Sequence, residues 1–125
     1  MILGTGVDLA EVDRIRHAAE RFGDRFLDRI YTPRERARVE KSANKYERYA
    51  ARFAAKEAGM KAIGTGMFGG VSWRDFEVVN LASGRPTLQL HGVAAEVAAN
   101  LGVKSISLSM THTASQGMAF VIMEV

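Results

Sequence analysis

A stripe of alanines in one long helical stretch constrains the fold more than any other feature of the sequence. The chain reads as one helix from about residue 46 to residue 63, and small side chains recur along one face of it: Ala51, Ala54, Ala55, Ala58 and Ala62. Residues three and four positions apart share a face of a helix. Alanine has a small side chain, so another backbone can approach this face closely. We therefore expect a strand or another helix to pack against it.

The N-terminal residues read as a short strand that contains Gly4 and Gly6. Glycines within a strand often mark a close approach of another backbone or of a ligand. Asp8 and Glu11, three residues apart, then match a capping box, which predicts a helix from about Asp8 to Phe22. Gly23 is its expected C-cap, and its apolar face would hold Val12, Ile15, Ala19 and Phe22.

The remaining elements are predicted from capping and alternation. Residues 24–30 form a second helical stretch, and Thr32-Pro33-Arg34-Glu35 is a typical helix start. Residues 73–79 and 87–90 read as two strands, 93–101 as a helix ended by Gly102, and 118–125 as a last strand. Between the last two, Ile106, Leu108 and Met110 alternate with serines. A single α+β domain over residues 1–125, with a small antiparallel sheet packed with helices, is expected.

Positive charge is concentrated in one part of the chain. Residues 14–61 hold 14 of the 17 basic residues and 7 of the 14 acidic ones, a net charge of +7, whereas the whole chain carries +3. Such a segment favours an anionic partner: nucleic acid, a phosphorylated small molecule or an acidic protein.

The sequence also limits the chemistry and the location of the protein. It contains no cysteine, which excludes a disulfide framework and thiolate catalysis. Its N-terminus carries no basic leader, and no segment approaches the ~18 apolar residues of a membrane span. We therefore expect a cytoplasmic protein that does not contact a membrane.

Two carboxylates stand in settings that suit a metal site. Asp8 follows the glycine-containing strand, where it serves as a helix cap, as a ligand or as both, since a capping carboxylate keeps a free oxygen. Glu57 borders the alanine stripe, where it either pairs with Lys61 one turn later or faces a site. Magnesium takes one or two carboxylates and completes its shell with water and phosphate. Asp8 and Glu57 together would suit it.

Cations and a glycine loop surround Glu57. Arg52, Lys56 and Lys61 either lie on a solvated helix face or, with the Gly64-Thr65-Gly66 loop, bind a polyphosphate, although a Gly-x-Gly loop alone is weakly specific. Lys56 alone reads as part of a solvated helix face. His112 is either a hydrogen-bonded residue at a strand end or a phosphate-binding or proton-moving residue. His17 and His91 are interpreted as structural.

Four motifs, taken together, resemble one family. The segments GTGVDLAEVDRI (4–15), RFAAKEAGMKAIGTG (52–66), GRPTLQL (84–90) and SLSMTHT (107–113) stand in the order found in bacterial holo-[acyl-carrier-protein] synthases. The resemblance runs essentially from end to end. It implies the 4′-phosphopantetheinyl transferase-like fold.

The resemblance implies a function as well. Members of this family transfer the 4′-phosphopantetheine arm of coenzyme A to a serine of apo acyl carrier protein, require Mg2+, and form homotrimers with active sites at the subunit interfaces. By resemblance, the catalytic residues are Asp8, Glu57 and Lys61, and the first two are the metal ligands. The coenzyme A contacts would be Arg52, Lys61, Gly64, Thr65, Gly66, His112 and Thr113. The surface for the carrier protein would hold Arg14, Arg21 and Arg25.

Several alternatives stay open from the residues. The base for the serine proton is a water on the metal ion, Glu57 or Asp8. The carrier protein serves either fatty acid or polyketide synthesis. A basic module for nucleic acid is the rival class, against which stand the acids interleaved with the arginines and the absence of a nucleic-acid motif. An inactive trimer of transferase-like fold is a further alternative, which the intact Asp8, Glu57 and Lys61 disfavour.

Overall fold

The computed structural model describes residues 1–125. The chain forms five strands and five helices, with a short 3-10 turn at Trp73–Asp75. The strands are β1 (Ile2–Glu11), β2 (Phe76–Asn80), β3 (Pro86–Leu90), β4 (Ser105–His112) and β5 (Gln116–Glu124). The helices are α1 (Val12–Phe22), α2 (Asp24–Ile30), α3 (Pro33–Val39), α4 (Lys45–Ile63) and α5 (Gly92–Leu101).

The strands form two antiparallel sheets. Three of them lie in the order β1-β5-β4, and β2 and β3 form a separate hairpin. The central helix α4 packs on one face of the three-stranded sheet, and the hairpin packs on another side of α4. This arrangement confirms the predicted α+β class.

Two alanines of the stripe, Ala58 and Ala62, lie where β1 crosses α4. All five alanines are buried, as predicted. A Cβ atom on Gly6 would overlap the carbonyl oxygen of Ala58, and one on Gly4 would overlap that of Ala62. The two backbones therefore touch directly, which only glycine on the strand and small residues on the helix allow.

The presence of Gly59 in the middle of α4 is also explained by a close contact. A helical glycine costs about 1 kcal/mol relative to alanine. A Cβ atom at this position would lie 2.8 Å from Cδ1 of Phe76 and 3.0 Å from Cδ1 of Leu88. The β2–β3 hairpin thus packs against the bare backbone of α4, and any larger residue would push it away.

The predicted helix start at Asp8 is wrong. Strand β1 continues through Asp8, which pairs with Ala119, to Glu11, and α1 begins at Val12 without a side-chain cap. The capping pattern is a local signal that offers one or two hydrogen bonds. Pairing with β5 gives the same residues a continuous ladder, and this pairing decides their conformation.

Other local predictions are confirmed in part. Thr32 and Glu35 form the reciprocal capping box, with Thr32 N–H 2.8 Å from Glu35 Oε1. Gly23 and Gly102 end their helices, as expected. The apolar face of α1 is buried except for Phe22, which is 52% exposed. Residues 73–75, predicted as the start of a strand, form the 3-10 turn instead.

The second face of the three-stranded sheet is not covered by this chain. It presents Val7, Leu9, Met118 and Phe120, which are 40–53% exposed, next to the exposed serines of β4. No helix in the structure is both long and apolar enough to cross a membrane.

Candidate active site

Helix α4 presents one line of residues that is not fully buried. Between Tyr49 and Ile63, the exceptions to burial are Phe53, Glu57 and Lys61, spaced one turn apart. Every other residue of this stretch packs against the sheet, the hairpin or the neighbouring helices. The acid and the lysine that the sequence singled out therefore lie on the only open edge of the central helix.

Asp8 reaches this edge from β1. Lys61 Nζ lies 3.1 Å from Asp8 Oδ1 and donates a hydrogen bond to the carbonyl oxygen of Val7 at 2.9 Å. Lys61 is 56% exposed and Asp8 20% exposed. Lys61 pairs with Asp8 and not with Glu57, so the ion pair within the helix, one of the two interpretations of Glu57, does not form. The structure thus brings Asp8 to Lys61, and Glu57 lies one helical turn before Lys61 on the same edge.

Both carboxylates keep an oxygen for a ligand. Glu57 Oε1 accepts a hydrogen bond from Trp73 Nε1 at 3.4 Å, and Asp8 Oδ1 accepts the one from Lys61. Asp8 Oδ2 and Glu57 Oε2 have no hydrogen-bond partner in the chain. No group of three or more His, Cys, Asp or Glu residues forms a potential metal site. Two hard oxygen donors fit magnesium, whose shell is otherwise water and phosphate, better than a cation that needs a full protein shell.

The glycine loop follows directly from this edge. Gly64 ends α4 in the left-handed conformation with φ 76°, and its N–H bonds to the carbonyl oxygen of Lys61. Gly66 also has a positive φ of 54°. Gly64 and Gly66 are exposed and Thr65 is half-buried. The predicted loop therefore lies just beyond Lys61, and within it only the N–H group of Gly66 has no hydrogen-bond partner in the chain.

Arg52 is a buried cation without a carboxylate partner. It is 5% exposed, and its Nε has no hydrogen-bond partner. The guanidinium makes one hydrogen bond, in which Nη1 donates to the carbonyl oxygen of Arg48 at 3.5 Å. Burial lowers the pKa of Arg52, an effect opposed by Glu35 and reinforced by Arg38 and Arg48. A guanidinium stays protonated, so an anionic ligand would compensate this charge.

His112 and Thr113 lie at the opposite end of α4. His112 Nδ1 is 3.2 Å from Glu47 Oε1, in the first turn of the helix, and Thr113 Oγ1 accepts backbone hydrogen bonds from the following turn. Lys61 lies fourteen positions after Glu47 on the helix, which is roughly 21 Å at 1.5 Å per residue. Within one chain, the structure therefore does not bring His112 and Thr113 together with Lys61 and the glycine loop.

The prediction that Lys56 lies on a solvated face is wrong. Its ammonium is fully buried, bonded to both oxygens of Glu35 at 2.8 and 2.9 Å and to the carbonyl oxygen of Phe76 at 2.8 Å. Burial lowers the pKa of Lys56, and the contact with Glu35 opposes this. No local signal marks Lys56 as buried, because α4 carries charged residues at seven positions and the partner of Lys56, Glu35, lies on another helix.

The arginines predicted to receive a protein partner are exposed. Arg14 and Arg21 lie on α1, and Arg25 lies at the start of α2 beside the exposed Phe22. The guanidinium of Arg21 lies 5.3 Å from the centre of the Phe22 ring. This patch combines positive charge with an apolar side chain, which suits an acidic protein with a small apolar contact.

Comparisons with known proteins find relatives along nearly the whole chain. A family model described as the 4′-phosphopantetheinyl transferase superfamily matches residues 4–120. A holo-[acyl-carrier-protein] synthase from Solibacter usitatus is 71% identical, and one from Koribacter versatilis is 59% identical, each over 99% of both chains.

Solved structures of related proteins share this fold. The crystal structure of a holo-[acyl-carrier-protein] synthase from Neisseria meningitidis superposes with a TM-score of 0.90 at 35% identity and covers 100% of both chains. The synthase from Helicobacter pylori, solved in complex with coenzyme A, gives a TM-score of 0.82 at 27% identity and covers 96% of this chain and 99% of that one.

The fold and the match over residues 4–120 define the class: the chain belongs to the 4′-phosphopantetheinyl transferase superfamily. Within it, the relatives aligned over nearly the whole length place the chain in the family of holo-[acyl-carrier-protein] synthases. The resemblance seen in the sequence motifs is confirmed. The rival interpretation as a nucleic-acid module finds no support in these relatives.

Proposed function

We propose that Asp8, Glu57 and Lys61 carry out the chemistry of this chain with the help of a magnesium ion. The reaction transfers 4′-phosphopantetheine from coenzyme A to a serine of apo acyl carrier protein, in fatty acid biosynthesis. The serine hydroxyl gives its proton to a base (Glu57, Asp8 or water) and its oxygen forms a bond to phosphorus, while the pyrophosphate bridge breaks and adenosine 3′,5′-bisphosphate leaves. The observation that carries the proposal is the contact between Asp8 and Lys61, one turn beyond Glu57.

Asp8 and Glu57 would hold the metal ion. Each has one carboxylate oxygen without a partner in the chain, and the two sit on neighbouring elements beside the open edge of α4. Magnesium, when bound, supplies positive charge that neutralises pyrophosphate oxygens as the bridge breaks. Because the protein provides two ligands, the remaining positions are left for water and for the substrate.

Lys61 would serve the phosphate directly. Its ammonium is 56% exposed and makes its two contacts at the surface, so it can turn from Asp8 towards a bound phosphate at little cost. Phosphoryl transfer depends on positioning and on neutralising charge in the transition state. Lys61 carries a positive charge and three N–H donors beside the two carboxylates, so it can neutralise charge that develops on the phosphate.

Coenzyme A would be held by the buried guanidinium of Arg52 and by the backbone of the loop from Gly64 to Gly66. Arg52 lacks a carboxylate partner, and the N–H group of Gly66 makes no hydrogen bond within the chain, whereas those of Gly64 and Thr65 bond to the end of α4. His112 and Thr113 complete the proposed set from the far end of α4. Since roughly 21 Å of helix separates them from Lys61 in one chain, they would serve the site of a neighbouring subunit.

The proposed assembly is therefore a homotrimer with its sites between subunits. The uncovered sheet face, with the exposed Val7, Leu9, Met118 and Phe120, is an apolar surface that a second copy would bury. Sedimentation equilibrium of Phe120→Asp, beside Phe68→Asp as a control on an exposed loop, tests the interface. A monomeric control variant, or a trimeric Phe120→Asp, would contradict this assignment of the face.

Shared sites also make a prediction about mixed assemblies. Inactive Glu57→Gln and His112→Ala chains, unfolded and refolded together, would regain about a quarter of the wild-type activity, because one interface in four would combine the intact Glu57 of one chain with the intact His112 of the other. Each variant refolded alone is the control. A mixture as inactive as its components would contradict sites shared in this way.

The transfer itself is tested by mass spectrometry. Apo acyl carrier protein incubated with this chain, coenzyme A and Mg2+ is expected to gain one phosphopantetheine arm. The gain should disappear with Glu57→Gln or with a chelator, and should persist with the matched variant Glu96→Gln on the exposed face of α5. Transfer that persists in Glu57→Gln or in the chelator would contradict the metal role.

Single-domain organisation over residues 1–125 and a cytoplasmic location stay predictions.

A further inference from the structure

Trp73 makes the one hydrogen bond within the chain to the carboxylate of Glu57. It is the only tryptophan of the sequence and lies half-buried in the 3-10 turn before β2. Its Nε1–H donates to Glu57 Oε1 at 3.4 Å. None of the motifs that point to the active site includes this residue.

Contacts from two helices hold the indole ring in place. Phe53, one turn before Glu57 on α4, packs against it with ring centres 6.1 Å apart. The guanidinium of Arg29 on α2 lies 5.8 Å from the centre of the ring. The ring is therefore fixed by packing on one side and by a cation on another.

The backbone of Trp73 is anchored by the buried ion pair. Lys56 Nζ, which bonds to both oxygens of Glu35, also contacts the carbonyl oxygen of Trp73 at 3.3 Å. Consecutive residues of α4 thus hold both ends of the tryptophan: Lys56 contacts its backbone, and Glu57 accepts from its indole.

The consequence concerns the orientation of Glu57. A glutamate side chain at a half-exposed position has three rotatable bonds, and ordering it costs up to about 2 kcal/mol. A hydrogen bond to Oε1 from a fixed donor selects one orientation and leaves Oε2 for a ligand. Groups that orient metal-binding carboxylates in this way typically change metal affinity or activity by 10–100-fold when they are removed.

We propose that Trp73 is a positioning residue, whose indole N–H orients the carboxylate of Glu57 for the metal ion. The inference rests on the proposed role of Glu57 as a magnesium ligand. Positioning differs from packing in one respect. A ring without an N–H group could still contact Phe53 and Arg29, whereas orienting the carboxylate of Glu57 requires the N–H group.

The first experiment tests the contact without metal. As the only tryptophan, Trp73 gives a single indole N–H cross-peak in a 1H–15N spectrum of the full chain. Glu57→Gln should shift this cross-peak, and the matched variant Glu96→Gln should leave it in place. A cross-peak unchanged in Glu57→Gln would overturn the proposal whatever the activity of the enzyme.

The second experiment separates the N–H group from the ring. Trp73→Phe keeps an aromatic ring, and Trp73→Ala removes it. If the N–H group positions Glu57, Trp73→Phe should raise the Mg2+ concentration for half-maximal transfer about 10-fold, with a change of less than about two-fold in KM for coenzyme A and an unchanged Tm. Magnesium dependence that is normal in Trp73→Phe and altered only in Trp73→Ala would assign Trp73 a packing role and overturn the proposal.

The wild-type chain distinguishes this failure from that of the proposed function. A wild-type enzyme whose transfer does not depend on Mg2+ would refute Glu57 as a metal ligand and, with it, this inference. A magnesium-dependent wild type whose Trp73→Phe variant behaves normally would refute only the role of Trp73.

Discussion

The ammonium of Lys56 and the carboxylate of Glu35 form an ion pair that is fully buried, with Nζ 2.8 Å from Oε1 and 2.9 Å from Oε2. Glu35 also accepts the N–H groups of Thr32 and Val78, and Lys56 donates to the carbonyl oxygen of Phe76. The pair therefore joins α3, β2 and α4, and it fixes the helix turn that carries Glu57.

Breaking this pair should be costly. Lys56→Met leaves Glu35 buried without its counter-charge, and the removal of one partner of a buried pair typically costs about 3–5 kcal/mol. We expect the free energy of unfolding to fall by about this amount in urea denaturation. Lys41→Met, at an exposed position, is the control. A loss below about 1 kcal/mol, the range of surface pairs, would show that the pair does not stabilise the fold.

Acid should destabilise the protein through Glu77. Burial raises the pKa of this carboxyl, but hydrogen bonds from Arg34, Thr32 and His91 outweigh that effect and bring the pKa down to about 2. Since the folded pKa lies below the unfolded one, the stabilisation is present above pH ~4.5 and is lost as the pH falls towards ~2. A shift of this size corresponds to at most about 3 kcal/mol, because the partner Arg34 is 63% exposed and solvent screens its charge.

The acid prediction is measured as urea unfolding between pH 7 and pH 2.5. Glu77→Gln should reduce the loss of stability between pH 5 and pH 2.5, and Glu20→Gln, at an exposed position, should leave that loss unchanged. An unchanged pH profile in Glu77→Gln would assign acid sensitivity to other carboxylates.

Gly6 should tolerate no side chain. A Cβ atom there would overlap the carbonyl oxygen of Ala58, so Gly6→Ala must push β1 away from α4 and shift Asp8, two residues later. We expect a loss of about 3 kcal/mol or more in unfolding free energy and a loss of transfer activity. Gly84→Ala, in an open turn with φ 90°, should cost only about 1–2 kcal/mol. Equal costs for the two variants would contradict the close backbone contact.

Lys61 should matter for catalysis and little for stability. It is 56% exposed, so Lys61→Met should change the free energy of unfolding by less than about 1 kcal/mol. Its loss should lower kcat about 100-fold, the effect of removing one group that stabilises transition-state charge. Lys104→Met, at another exposed position, is the matched control. A kcat within a few fold of the wild type would remove Lys61 from the proposed catalytic set.

Salt should weaken binding of the carrier protein. Residues 14–61 carry a net charge of +7, and Arg14, Arg21 and Arg25 are exposed. If an acidic carrier protein is steered by this charge, raising the ionic strength should slow association, and Arg21→Gln should reduce that salt dependence. Arg85→Gln, in the hairpin turn, should not. Binding that is independent of salt would contradict an electrostatic role for this surface.

Features whose cause lies within a few residues could be predicted from the sequence. The box formed by Thr32 and Glu35, the helix ends at Gly23 and Gly102, and the alternation of β4 all follow from local geometry and are confirmed. The alanine stripe predicted a close packing partner for α4, because small side chains have few other structural uses at that spacing. Asp8, Glu57 and Lys61 could be chosen as candidates from residue type and motif.

Tertiary structure alone decided which of these residues meet. Asp8 lies in a strand because it pairs with Ala119 across the sheet, although its local sequence favours a helix cap. Lys56 is buried because Glu35, twenty-one positions earlier, supplies its counter-charge inside the core. Trp73 reaches Glu57 only because the turn before β2 folds onto α4. Local patterns record the preferences of a few neighbouring residues, whereas strand pairing and buried charge compensation depend on partners that only the folded chain brings together.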